Sequence, residues 1–138
     1  MRYYLDTNIL VFILSGETNN IENKVSSIIN DYSSILYVSS IAVKELLLLF
    51  RIGKVRSKVF KSEKDLLSAI QMLNIEIIFF NQHHLDTYIA LQIADGHKDM
   101  NDHAIISQAI SDKVHIISSD AKFRDYAGQG LKFVYNRR

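Results

Sequence analysis

The chain has 138 residues, 48% of them apolar, with 16 Lys and Arg against 15 Asp and Glu and a formal net charge of +1; that length suits one globular domain, which buries enough surface to hold together without a disulfide or structural metal. The absence of cysteine excludes thiolate zinc sites, iron–sulfur clusters, a cysteine nucleophile and a disulfide scaffold, so any metal must be held by oxygen or imidazole. Balanced charge argues against whole-molecule attraction to nucleic acid, and the longest apolar runs, Ile9 to Leu14 and Leu46 to Phe50, fall far below the ~20 residues of a membrane span.

Tyr3 to Leu5 opens the chain as a short β-rich run. Asp6 interrupts it too early for a secretory signal, whose apolar stretch alone takes ~7–15 residues, so a cytoplasmic location is expected. Ile9 to Leu14 and Ile21 to Tyr32 carry apolar residues at helical spacing. A strand over Ile35 to Val38 then leads into helices over Ile41 to Arg51 and Lys64 to Leu73. Next come a strand over Ile75 to Phe79, helices over Leu85 to Ala94 and Asp102 to Ser111, and strands over His115 to Ile117 and Leu131 to Tyr135. Asn8, Ser40 and Asn101 are the expected caps of three of these helices. Gly128-Gln129-Gly130 lacks the third glycine and following helix of a dinucleotide loop and reads as a turn. Strands separated by helices imply a mostly parallel sheet covered on both faces. With no repeat or linker in the chain, the expectation is one three-layer α/β/α domain over residues 1–138.

In an open parallel sheet, ligands gather outside the carboxyl ends of the strands, where loops and helix N-termini converge. Asp6 ends the first strand, and Asp120 follows His115 to Ile117 after Ser118-Ser119. Glu45 lies early in the helix that leaves Ile35 to Val38, among Val43, Leu46, Leu47 and Leu48, and Asp102 opens its helix with Asp99 one turn before it. Singly, each acid has an ordinary reading. Asp99 and Asp102 suit a helix first turn, Asp120 a short-turn cap, and Glu45 a surface position beside Lys44. Gathered at one edge, they would be unstable without neutralisation, because like charges and burial both oppose ionisation. A divalent cation resolves the conflict. Hard oxygen ligands select Mg²⁺ or Mn²⁺, and such an ion activates water and stabilises charge growing on a phosphate. The chemistry pointed to is metal-assisted phosphodiester hydrolysis.

Tyr4-Leu5-Asp6-Thr7-Asn8, Glu45 in the helix after Ser39-Ser40, Asp99-Met100-Asn101-Asp102-His103-Ala104-Ile105-Ile106, and Ile117-Ser118-Ser119-Asp120-Ala121-Lys122-Phe123 together resemble the PIN-domain family. The likeness is strongest to the small toxin ribonucleases of VapBC-type toxin–antitoxin pairs, and the ordered set spans nearly the whole chain. The resemblance implies a Rossmann-like PIN fold, Mg²⁺- or Mn²⁺-dependent endoribonuclease activity, homodimerisation and inhibition by a cognate antitoxin. It also implies that Asp6, Glu45, Asp102 and Asp120 are the catalytic acids. Of these, Asp6, Asp102 and Asp120 hold the metal and Glu45 orients or deprotonates the attacking water, with Asn8, Asp99 and Ser118 in support. Met100 departs from the pattern, standing between Asp99 and Asp102 where many members of one subgroup carry proline.

Arg51 to Lys64 contains Arg51, Lys54, Arg56, Lys58, Lys61 and Lys64 with Glu63 as its one acid. Lys54, Arg56, Lys58 and Lys61 are the candidate RNA contacts, and a solvated connector is the plain alternative. Lys122, Arg124, Arg137 and Arg138 are weaker candidates of the same kind. An oxygen-rich site disfavours imidazole, so His97 and His103, which flank the acidic pair, are not expected to ligate. Three other functions compete: a housekeeping PIN-type nuclease, a phosphotransferase with Asp6 as nucleophile, and a module that holds metal or RNA without cleaving. Asn8 stands where the phosphotransferase would want a second carboxylate.

Overall fold

The computed structural model describes residues 1–56 and 60–138. In chain order it has β1 (Arg2–Leu5), α1 (Thr7–Leu14), a 3₁₀ turn (Thr18–Asn20), α2 (Asn23–Asn30), β2 (Ile35–Ser39), α3 (Ser40–Arg51), α4 (Glu63–Met72) and β3 (Ile75–Ile78). There follow α5 (Gln82–Ala90), α6 (Met100–Asp112), β4 (His115–Ser118), a 3₁₀ segment (Ala121–Gln129) and β5 (Phe133–Tyr135). The five strands pair in the order β3-β2-β1-β4-β5, all parallel, and helices flank the sheet, as the alternation of strands and helices predicts. Among the described residues no helix is long and apolar enough to cross a membrane.

The strand order sets the position of the site. From β1 the chain steps outward to β2 and β3, then returns to lay β4 on the other side of β1. Connections therefore diverge between β1 and β4, and at such a reversal a crevice opens beyond the carboxyl ends of the strands. Tyr4 and Leu5 of β1 and Ile116 and Ile117 of β4 are buried, which fits central parallel strands covered on both faces.

A buried polar chain fixes α6 against the strand ends. Gln108 accepts the Ser39 hydroxyl (2.6 Å) and donates to Ile78 O (2.9 Å) and Tyr4 Oη (3.2 Å). Tyr4 donates to Asp112 (2.5 Å), which His84 Nε2 also meets at 2.9 Å. Every member has a partner, the condition under which a buried polar network is tolerated. Ser39 also caps α3 by accepting Ile41 N–H (3.1 Å), so the same network sets the start of the helix that carries Glu45.

The caps differ from the sequence expectation. Asp6, Ser39 and Asp99 are the N-caps of α1, α3 and α6, in place of Asn8, Ser40 and Asn101. Each helix begins as soon as its strand or loop ends, before the first apolar residue of its periodic pattern. Asn8 is thereby released to bond within the site. The fifth helix runs Gln82–Ala90 instead of Leu85 to Ala94, because Asn81 and His84 form a capping box and Leu91 is extended.

Candidate active site

Asp6 is the innermost acid, held one residue beyond β1 by its N–H donating to Ile117 O (2.9 Å). Its Oδ1 accepts Thr7 N–H (2.8 Å), and its Oδ2 accepts the Ser118 hydroxyl (2.7 Å) and the Asn8 amide (3.2 Å). Asn8 in turn accepts Ser119 N–H (3.2 Å), and Ser118 Oγ accepts Asp120 N–H (3.0 Å). One small network therefore ties the end of β1 to the end of β4 and carries Asp120 with it. Asp120 also caps the following 3₁₀ segment through Lys122 N–H (2.9 Å).

Asp102 comes from the first turn of α6, behind Asp99, whose Oδ1 accepts the N–H groups of Asn101 (2.9 Å) and Asp102 (3.2 Å). Met100 occupies the first helical position, where proline is tolerated because that N–H has no intrahelical partner, so this departure leaves the frame unchanged. Glu45, half-buried in the second turn of α3, accepts the Asn101 amide at 3.5 Å. Asp6, Glu45, Asp99, Asp102 and Asp120 line a single cleft of about 350 Å³, with Thr7, Asn8, Val11, Phe12, Leu49 and Arg138 completing its walls. The four acids expected to meet do so, from four separate elements.

Their electrostatics follow from that convergence. Burial, reinforced by the negative charges of Asp102 and Glu45, pushes the Asp6 carboxyl up to about 7 against the opposing bonds from Ser118 and Thr7. Burial followed by repulsion from Asp99, Asp120 and Glu45 pushes Asp102 to about 7, with Lys122 opposing. Hard oxygen donors that resist ionisation when alone suit a divalent cation. Among the described residues, Thr7 Oγ1 is a buried side-chain oxygen without a partner, and Thr7 is one of the residues lining this cleft. The donor set therefore fits a hard divalent cation.

His97 is the residue that sequence reasoning set aside. It is buried, with Nε2 3.0 Å from Asp102 Oδ2 and Nδ1 2.7 Å from Tyr126 Oη. Tyr126 Oη accepts Ala94 N–H (3.1 Å); with that hydroxyl donating to Nδ1, the assigned tautomer places Nε2–H on Asp102. Potential ligand atoms of His97, Asp102 and Asp120 lie within 4.8 Å of one another. Since Nε2 is already engaged by Asp102 and Nδ1 by Tyr126, imidazole ligation would break this arrangement, and His97 is better suited to orienting Asp102. Its partner, Tyr126, lies 29 residues away, beyond the reach of any local pattern. His103 stays out of the cleft, donating through Nε2 to His97 O (2.9 Å).

Lys54, Arg56 and Lys61 are exposed, and none of them lines the acidic cleft. Arg56 Nε donates to Gly53 O at 3.0 Å. Lys58 lies outside the described residues.

Residues 3–129 match the family model described as PIN domain. Comparison with curated protein sequences gives no match. Among solved structures, the chain is similar to VapBC2 from Rickettsia felis bound to a DNA fragment from its promoter, with 22% identity, a TM-score of 0.65 and coverage of 99% of this chain and 100% of that one. It is likewise similar to DNA-bound VapBC from Salmonella typhimurium (16% identity, TM-score 0.69, 98% of each chain). VapBC-1 from nontypeable Haemophilus influenzae matches at 20% identity and a TM-score of 0.64, over 98% of each chain. At such identities the structures speak to the fold, which is the five-stranded parallel sheet with its crevice between β1 and β4. With the family model covering the sheet's first four strands apart from Arg2, and every acid of the cleft, the chain belongs to the PIN domain family.

Proposed function

We propose that this chain, acting as one domain over residues 1–138, is a Mg²⁺- or Mn²⁺-dependent endoribonuclease and the toxin of a VapBC-type pair, silenced by a cognate antitoxin and working as a homodimer in the cytoplasm. The observation that carries the nuclease reading is the convergence of Asp6, Glu45, Asp102 and Asp120 in one cleft. The toxin reading is supported by the VapBC complexes whose chains match end to end.

Asp6, Asp102 and Asp120 would hold the ion, with Asn8, Asp99 and Ser118 fixing those carboxylates through the bonds given above. When bound, the ion lowers the pKa of water and takes up charge developing on the phosphate. Glu45, half-buried on α3, faces the same cleft with a carboxylate able to orient the attacking water and accept its proton. His97 and Tyr126 keep Asp102 turned toward the cleft. Because water attacks in place of the 2′-hydroxyl, no 2′,3′-cyclic phosphate forms; the bond from phosphorus to the 3′-oxygen breaks, that oxygen leaves as the 3′-hydroxyl, and the other product carries a 5′-phosphate.

The test is incubation of purified protein with end-labelled single-stranded RNA in Mn²⁺ or Mg²⁺, with and without EDTA. Cleavage that EDTA stops and that leaves 5′-phosphate ends supports the reading; no cleavage under any metal condition overturns it. Growth arrest on expression, relieved by co-expressing the product of an adjacent small reading frame, separates a toxin from a housekeeping nuclease.

His97→Phe keeps a ring in place but removes both polar contacts. The metal concentration for half-maximal cleavage should rise about 10–100-fold, the usual effect of losing a residue that orients a ligand. An unchanged metal requirement in a folded variant would leave His97 as packing alone.

A further inference from the structure

The segment after β5 returns to the cleft. Asn136 is fully buried at the carboxyl edge of the sheet. Its N–H donates to Ser118 O (2.8 Å), its side-chain amide donates to Asn20 O (2.8 Å) and Ser119 Oγ (2.7 Å), and its Oδ1 accepts Glu22 N–H (2.9 Å). A buried amide with both ends paired fixes the backbone that carries it. Ser118 and Ser119 are the residues that bond Asp6 and Asn8, so the direction of this segment is set by the same network that sets the acids.

Two residues further on, the Arg138 guanidinium lies over the Phe12 ring, 5.5 Å from its centroid, on the wall of the acidic cleft. Phe12 is buried on α1 and provides a fixed platform. Among the described residues, no ion pair or hydrogen bond engages the Arg138 side chain. A guanidinium held over an aromatic ring keeps its N–H donors available, and their fork matches a phosphate. The surroundings call for such a group. Five carboxylates line the cleft with Arg138 as the cation among them, and a nucleic-acid strand carries a charge at every phosphate. A divalent ion compensates at the bond being cut, whereas the neighbouring phosphate still faces an acidic wall.

We propose that Arg138 is a substrate-binding residue that holds the phosphate of the strand adjacent to the one cleaved. The inference rests on the nuclease reading above and adds to it a residue that charge alone placed among weak candidates.

The experiment measures binding of fluorescein-labelled single-stranded RNA by anisotropy in the cleavage-inert Asp6→Asn background, with Arg138 intact or replaced by Ala or Lys, over a salt series. Arg138 is exposed, so its replacement leaves the fold in place. Arg138→Ala should weaken binding about tenfold across different RNA sequences and lower the salt slope by about 0.7, the share of one single-strand phosphate contact. Arg138→Lys should restore the slope. In the otherwise unmodified chain, the loss should fall on KM and not on kcat. Equal binding and equal slopes with and without Arg138 would overturn the proposal. So would an Arg138→Ala variant whose one change is a lower metal requirement, since the guanidinium would then be acting on the acids. If the unmodified chain fails to cut RNA while the binding difference persists, the hydrolysis reading fails and the phosphate contact stands.

Discussion

Asp6→Asn should reduce cleavage about 10³-fold or more while the protein stays folded. The size follows from the role: charge stabilisation by a catalytic metal is worth several kcal/mol, and each ~1.4 kcal/mol is tenfold in rate. The fold should survive because Asn is as good a helix cap as Asp, so its oxygen can still accept Thr7 N–H at the start of α1. What changes is the other side of the group, where Oδ2 accepts from both Ser118 and Asn8 and an amide nitrogen cannot. The lost acceptance is offset by removal of a buried charge that the cleft opposes, so the metal-free melting temperature at pH 7 should move by only a few degrees. Circular dichroism and the labelled-RNA assay together check both halves. Full activity in a folded Asp6→Asn chain would remove this residue from the reaction and, with it, the proposed metal site.

The second large effect is on stability. Asp6 and Asp102 ordinarily titrate near 3.8 and are each raised to about 7 in the folded chain. Between those two pH values the native state binds protons that the unfolded chain has released. Stability is therefore fully present below about pH 4 as far as these groups are concerned, and is lost as pH rises through 7. A shift of that size for one group corresponds to about 4 kcal/mol. The metal-free melting temperature should fall by roughly 10 °C or more between pH 5 and 8. Millimolar Mn²⁺ should recover much of this at pH 8, since ligand binding to the native state adds about 2.7 kcal/mol at a hundredfold excess over Kd. At pH 5, where protons compete for the same oxygens, it should recover little. Asp6→Asn should flatten the pH dependence. Differential scanning calorimetry at pH 5 and 8, with and without Mn²⁺, decides the matter; a melting temperature indifferent to both pH and metal would contradict the buried acidic cluster.

How much of this was legible from the residues depended on distance along the chain. The acids could be found because a parallel sheet delivers them at strand exits, and Asp6 and Asp120 each follow a short apolar run. The order of strands could not, since it rests on pairings such as Tyr3 with both Leu36 and His115, which no local pattern encodes. Apolar periodicity locates a helix but not its first residue, so the expected starts include Ile9 and Asp102. Asp6 and Asp99 begin their helices earlier, so one residue serves as both cap and candidate ligand in the first case and as the support of a ligand in the second. Oxygen-rich chemistry argues His97 out of ligation, and its orienting role is invisible locally because that role depends on Tyr126, 29 residues away. Arg138 looked like any surface charge until Phe12 and Asn136 gave it a place.

The bond between Ser118 and Asp6 spans 112 positions, and contacts of such long separation slow folding. During synthesis the first acid emerges near the beginning and the last only once residue 120 has been added. The acidic cleft is thus complete only after residue 120 has been made, when the strand that leads to Asp120 locks beside the one that leads to Asp6.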